Sequence, residues 1–261
     1  ATGVYFHALL NYGPIKYILK HFKDDPTVGV RDGDIFFFNE TLTGTIHPYD
    51  MWVVMPIFWQ EHLIAWAAAG GHQGEAGSKD PGGFSPTALS RYEEGIHIPP
   101  LKIGRDFMVH RDQLEMLANS VRNPVQLSLD IKTRVAVCMR LRERLLRECE
   151  KRGVAFVAAG MRRIIQDTAK LARQRLLQFN DGIYRAVVFL DTIGTEDGLL
   201  RVPVQLIKRA DTLTIDYSGA SPEHRRGPSH AFWHIVRADT AVYLFTHIFR
   251  GLPLNIGLYE P

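Results

Sequence analysis

Met51-Trp52-Val53-Val54-Met55-Pro56-Ile57-Phe58 and Leu63-Ile64-Ala65-Trp66-Ala67-Ala68-Ala69 are two apolar runs interrupted by Gln60, Glu61 and His62. Each has the length of a buried strand and falls well short of the roughly 20 residues that a membrane-spanning helix needs. They predict two neighbouring buried strands, with Ile35 to Phe38 as a third. Upstream, Val4 to Phe22 carries Leu9, Leu10, Tyr17 and Ile18 at helical intervals, and Gly13-Pro14 starts a fresh helix or bends one. Downstream, Gly70 to Gly83 places six glycines among fourteen residues, and Pro81 excludes a continuing helix. Long glycine-rich loops inside compact domains are usually functional.

Further along, a short helix fits Asp112 to Val121 and stops at Asn123-Pro124. Val135, Cys138, Met139, Leu145, Leu146 and Cys149 then recur at spacings of three and four. After Gly153, Val157, Met161, Ile164, Ile165, Thr168, Leu171, Ala172 and Phe179 make a second apolar stripe. The two stretches predict an antiparallel helical hairpin. Past Asn180-Asp181-Gly182 the pattern returns to strands over Ile183 to Asp191, Leu199 to Lys208 and Thr212 to Tyr217, with turns at Asp197-Gly198 and Ala210-Asp211. Alternation of Leu213, Ile215 and Tyr217 predicts a sheet buried on one face and wet on the other. Phe232 to Phe249 is helical again in its spacing. The sum is an α+β chain of mixed β-sheets with a helical hairpin and a C-terminal β-meander plus helix, divided as 1–125, 126–180 and 181–261.

Composition narrows the function classes. In 261 residues, 46% are hydrophobic and 23% charged, which supplies a large core and excludes disorder. The net charge of +3 does not imply a nucleic-acid partner. Arg140, Arg142, Arg144 and Arg147 are mixed with Glu143, Glu148 and Glu150 and lack stacking aromatics, so they read as a solvated face or a subunit contact. Cys138 and Cys149 lie about 16 Å apart along a helix, too far for a disulfide. They fit small core residues of a reducing, cytoplasmic compartment. A start at Ala1 and an end shortly after Gly251-Leu252-Pro253 predict a fragment of a longer polypeptide.

Among the eleven histidines, His47 has the most informative company. In Gly44-Thr45-Ile46-His47-Pro48-Tyr49-Asp50 an imidazole and a carboxylate stand three apart at the mouth of the strand from Met51, and Pro48 sets a turn that lets them converge. Such a pair suits Mn²⁺, Fe²⁺ or Zn²⁺ but needs a third ligand. His72 is the candidate, because it stands at the corresponding end of the next strand. On residue types alone, turn formers with a hydrogen-bonded histidine remain the simpler reading. A phosphate-binding loop over Gly71 to Lys79 fails on order, since Ser78 precedes Lys79 and Asp80-Pro81 follows. The glycines near His72 instead suit a close backbone approach to a metal or small substrate.

Four segments together resemble the hydantoinase B family: Asp32-Gly33-Asp34-Ile35-Phe36-Phe37-Phe38-Asn39-Glu40, Gly44 to Asp50, Gly70-Gly71-His72-Gln73-Gly74, and Glu93-Glu94-Gly95-Ile96-His97-Ile98-Pro99-Pro100. His47-Pro48-Tyr49-Asp50-Met51-Trp52 and the glycine-histidine loop are most similar to the acetone carboxylase α-subunit branch. The resemblance implies one part of an ATP-dependent hetero-oligomer that forms acetoacetate from a small ketone, acetone, and bicarbonate. It implies His47, Asp50 and His72 as metal ligands, Mn²⁺ ahead of Zn²⁺ or Fe²⁺, with ATP held by a hydantoinase A-type β subunit beside a small γ subunit. Tyr49, Glu75 and Lys79 are then candidates for supporting or acid/base roles. A hydantoinase or 5-oxoprolinase type of cyclic-amide hydrolase is the alternative activity within the same family, and a non-catalytic scaffold subunit is a third possibility.

Overall fold

The computed structural model describes residues 11–193, 196–224 and 231–261, and at Thr192 only the backbone. They divide into two compact units, one of residues 11–85 and 90–159, the other of 86–89 and 160–261.

The first unit is built on a five-stranded antiparallel sheet in the order β3-β2-β1-β4-β5. Its strands are β1 (Ile35–Phe38), β2 (Asp50–Trp59), β3 (His62–His72), β4 (Leu101–Arg105) and β5 (Met108–Val109). The helices are α1 (Tyr12–His21), α2 (Arg111–Asn119) and α3 (Pro124–Arg152). The apolar run in β2 has a simple cause: both its faces are covered. Met51, Val53, Met55 and Ile57 pack with Leu127, Ile131, Val135 and Cys138 of α3. Trp52 and Val54 pack on the other face with Phe36, Phe38 and Ile18 of α1. Asn123 caps α3 by accepting a hydrogen bond from Gln126 N at 3.3 Å, and Pro124 fills its first position. Burial pushes the Cys138 thiol up to about 12, so it is an inert core residue.

The second unit holds a three-stranded antiparallel sheet, β6 (Gly182–Ile193), β7 (Glu196–Arg209) and β8 (Thr212–Asp216), with α4 (Val154–Leu176, from residue 160 on) and α5 (Trp233–Tyr243). Ala172 and Leu176 of α4 pack with Ala241, Phe245, Phe249 and Leu258. Of the two helices in the stretch expected as a hairpin, α3 lays its stripe on the sheet of its unit, while α4 buries Thr168, Ala172 and Leu176 and leaves Met161, Ile164 and Leu171 exposed. Asp197-Gly198 is not a turn: Asp197 pairs with Thr192 inside the β6–β7 ladder, and the connection falls at 194–195, outside the described residues. Leu213 and Ile215 of β8 are more buried than Thr212 and Thr214, as alternation predicts. On β6 the pattern fails, since Val187, Val188, Phe189 and Leu190 are all exposed among the described residues. The early part of the helical opening segment, residues 1–10, lies outside the described residues.

Register in the β2–β3 pair is held by shape. Trp52 lies opposite Gly70, and a Cβ at Gly70 would stand 2.2 Å from the indole ring. Gly70→Ala is expected to destabilise the fold by about 1–3 kcal/mol through overpacking. A lowered denaturation midpoint, partly restored by pairing it with Trp52→Leu, checks this.

Candidate metal centre

Asp50 opens β2 and His72 closes β3, and the antiparallel register sets them directly across from each other. His47 joins them through the turn before β2, where Asp50 N donates to His47 O at 3.0 Å. Asp50 Oδ2 lies 3.4 Å from His47 Nδ1, and Asp50 Oδ1 lies 3.7 Å from His72 Nδ1. One donor atom from each residue falls within 4.8 Å of the other two. Donors sharing one ion at about 2.0–2.3 Å stand roughly 3 to 4.5 Å apart. Charge-assisted hydrogen bonds are shorter, about 2.7–2.9 Å, so these separations suit convergence on a common cation better than direct pairing. Asp50 is fully buried, while the side chains of His47 and His72 are 31% and 45% exposed, which leaves the imidazole side open to an entering ligand.

Tyr49 braces both rings. It stacks on His72 at 5.7 Å between centroids and meets His47 edge-on at 5.7 Å. Its hydroxyl donates to Ser78 Oγ at 2.6 Å, and Ser78 Oγ donates in turn to Asp80 O. Burial raises the Tyr49 pKa against the opposing effect of the Ser78 hydrogen bond, and the carboxylates of Glu75, Glu94 and Asp80 raise it further. The phenol therefore stays neutral and acts as a support.

The glycine-rich loop is tied down along its length. Arg122 donates from its backbone N and Nη1 to the two Glu75 oxygens at 2.6 Å each, and from Nη2 to Ser78 O at 2.7 Å. Lys79 Nζ faces Glu93 Oε2 at 3.5 Å, and its backbone N donates to Glu93 O at 2.8 Å. Glu75 and Lys79, candidates for supporting or acid/base roles from sequence, both make contacts that tie this loop down. Gly83 lies against the His72 ring, where a Cβ would come within 2.6 Å of Nε2.

Sequence reading missed Asn39, which is fully buried and ties the His47 turn to the segment before β4. Its Nδ2 donates to Pro48 O at 2.6 Å and Ile96 O at 2.8 Å, while its Oδ1 accepts from Ile98 N at 2.7 Å. Thr45 Oγ1 donates to the Asn39 carbonyl at 2.7 Å. Beside it, Glu40 accepts from Arg91 Nη2 at 2.6 Å, and His97 Nε2 bonds to Arg91 O at 2.7 Å. An asparagine directly after the apolar run of β1 was the available signal, because a buried amide must satisfy its donors.

Burial holds the His97 pKa below its ordinary value of about 6.5, opposed by the Arg91 carbonyl and Glu40 and assisted by the Arg91 guanidinium. As pH falls below about 6.5 the unfolded chain takes up this proton before the folded one does, so stability declines over that window. Above it His97 is neutral in both states and contributes no pH dependence. The urea midpoint is expected to drop between pH 7.5 and 5.5, and to drop less in His97→Gln. An equal drop in the two proteins would remove His97 as the cause.

Comparison with known proteins places this geometry in context. The family model described as hydantoinase B/oxoprolinase matches residues 1–261. The chain is 34% identical over 261 residues to the acetophenone carboxylase delta subunit of Aromatoleum aromaticum, covering 99% of this chain and 37% of that protein. Its fold superposes with a TM-score of 0.88 on a nucleotide-free acetone carboxylase structure, at 25% identity, covering all of this chain and 36% of the other. The ATP-dependent caprolactamase of Pseudomonas jessenii shares the fold with a TM-score of 0.82 at 22% identity, over 98% of this chain and 43% of the other. The chain thus spans a little over a third of the length of the two carboxylase relatives. Among the described residues no helix is long and apolar enough to cross a membrane. The match along its whole length means that the chain belongs to the hydantoinase B/oxoprolinase family.

Proposed function

We propose that this chain is the metal-bearing part of a subunit of an ATP-dependent ketone carboxylase, which joins bicarbonate to a small ketone such as acetone to give acetoacetate. The convergence of His47, Asp50 and His72 carries the reading. Two imidazoles and one carboxylate fit Mn²⁺, with Zn²⁺ or Fe²⁺ as weaker alternatives, and they leave coordination positions for substrate. Such an ion supplies a Lewis acid that stabilises negative charge on a substrate oxygen.

The chain's own residues do the rest of the work at this site. Asp50 provides the anionic donor from full burial, and Tyr49 fixes the planes of both imidazoles. Asn39 holds the turn that presents His47. The two half-exposed rings mark the side from which a ketone enters. Nucleotide chemistry belongs to a partner, a hydantoinase A-type β subunit accompanied by a small γ subunit, because the glycine loop here lacks the order of a phosphate-binding loop. Likeness to the acetophenone carboxylase subunit favours ketone carboxylation over the cyclic-amide hydrolysis also found in this fold.

Gly83→Ala is expected to displace the His72 ring and weaken Mn²⁺ binding by about 10–100-fold while the far-UV spectrum is unchanged. Titration followed by the Mn²⁺ electron paramagnetic resonance signal reads this directly. The activity is tested by adding ketone, [¹³C]bicarbonate and ATP to the purified chain and to the assembled complex. Ketone-dependent ATP consumption with label in a β-keto acid is expected from the complex and from neither the chain alone nor the complex carrying Asp50→Ala. ATP consumption driven by a cyclic amide and not by ketone would assign the hydrolase activity instead.

A further inference from the structure

The apolar run Ala186-Val187-Val188-Phe189-Leu190 in β6 has the pattern of a strand buried on both faces, yet it is buried on neither. Val187 through Leu190 are 44% to 56% exposed, and Ile183 and Tyr184 nearby are exposed to a similar degree. Strand alternation turns Val187 and Phe189 to one face and Val188 and Leu190 to the other, so both faces are apolar and wet. β6 is also the edge of its sheet, paired with β7 alone among the described residues. An edge strand offers a row of N–H and C=O groups to another strand, and proteins that must keep such an edge single place lysine, proline or a bulge on it. β6 has neither lysine nor proline. Where the β6–β7 register shifts between Leu190 and Thr192, the extra residue lies on β7, so β6 itself stays regular.

The strand is complementary to itself. Its charged residues are one cation, Arg185, and one anion, Asp191, and the residue midway between them is Val188. Val188 is also the middle of the apolar run. When two copies run antiparallel about a two-fold axis at that residue, Arg185 of each stands opposite Asp191 of the other. Ala186 then meets Leu190, and Val187 meets Phe189. Opposite charges and apolar residues facing aromatic ones are the cross-strand pairs that stabilise a sheet. Moving the axis one residue either way sets both charges opposite apolar side chains. Arg185 uses its Nε–H on Gln205 Oε1 at 3.1 Å, which leaves the rest of the guanidinium for a carboxylate.

We propose that β6 pairs antiparallel with β6 of a second copy of this chain, about a two-fold axis at Val188. Two sheets of three strands then become one of six, with β8-β7-β6 continued by β6-β7-β8 of the second copy. The contact uses the same surface on both copies and closes on itself, so assembly stops at two and does not propagate into a fibre. It satisfies the open edge and brings an apolar neighbour to each face of the run. The strand belongs to the second unit, and the proposal is independent of the metal reading above.

The test is analytical ultracentrifugation of the purified chain over a range of micromolar concentrations, with amide hydrogen exchange locating the contact. A monomer–dimer equilibrium is expected, with slower exchange along β6 where the dimer prevails. Arg185→Asp and Asp191→Arg each set like charges opposite one another at both ends of the pairing, and each is expected to weaken the dimer by about tenfold or more. Mixed in equal amounts, the two variants restore opposite charges at both ends and are expected to form a heterodimer near wild-type strength, which also shows that both are folded. Val188→Lys sets two cations together on the axis and is expected to give a monomer with an unchanged far-UV spectrum. A wild-type chain that stays monomeric overturns the proposal and leaves this edge to a strand of another polypeptide. A dimer insensitive to all three substitutions overturns it as well, as do charge variants with wild-type far-UV spectra that fail to rejoin when mixed.

Discussion

The pairing of Asp50 with His72 across the open end of β2 and β3 is the constraint on which the rest depends. A one-residue slip would turn every side chain of β2 to the other face, and β2 is buried on both. The slip is blocked because the two faces carry different shapes, with Trp52 seated over Gly70 on one and the smaller Met51, Val53 and Met55 against α3 on the other. Stability of the core and geometry of the site are therefore the same property. In this register Asp50 and His72 bring a buried carboxylate and a half-exposed imidazole to one point.

What the strands deliver, the loops must hold. The His47 turn and the glycine-rich loop have little apolar content, so their backbone groups need polar partners. Asn39 satisfies four groups from a single buried residue, and the Glu75–Arg122 pair joins the glycine loop to the segment between α2 and α3. The ion pair is half-exposed on the arginine side, and its value lies in position more than in energy. Glycines at 70 and 83 serve two different ends: room for an indole and close contact with the His72 ring.

Much of this was legible in the sequence, and the limits have physical causes. The strand pair was readable because two-sided burial leaves an unbroken apolar run, and His47, Asp50 and His72 could be grouped because Asp50 and His72 end paired strands and His47 lies in the turn before one of them, although residue types alone favoured turn formers with a hydrogen-bonded histidine. The contacts of Glu75 with Arg122 and of Lys79 with Glu93 were not legible, because a loop sequence does not state its distant partners. Periodicity found the stripe of α3 but not what covers it, since a stripe has the same spacing whether it faces a helix or a sheet. Asp197-Gly198 carries turn chemistry inside a strand, where cross-strand pairing with Thr192 overrides local preference.

That His47, Asp50 and His72 hold one divalent ion is most directly tested by anomalous X-ray diffraction at the manganese edge from crystals grown with Mn²⁺. A single strong peak is expected about 2.0–2.3 Å from one nitrogen of each histidine and an oxygen of Asp50. A crystal showing Mn²⁺ bound elsewhere, with the three side chains hydrogen-bonded to one another or to water, would contradict it.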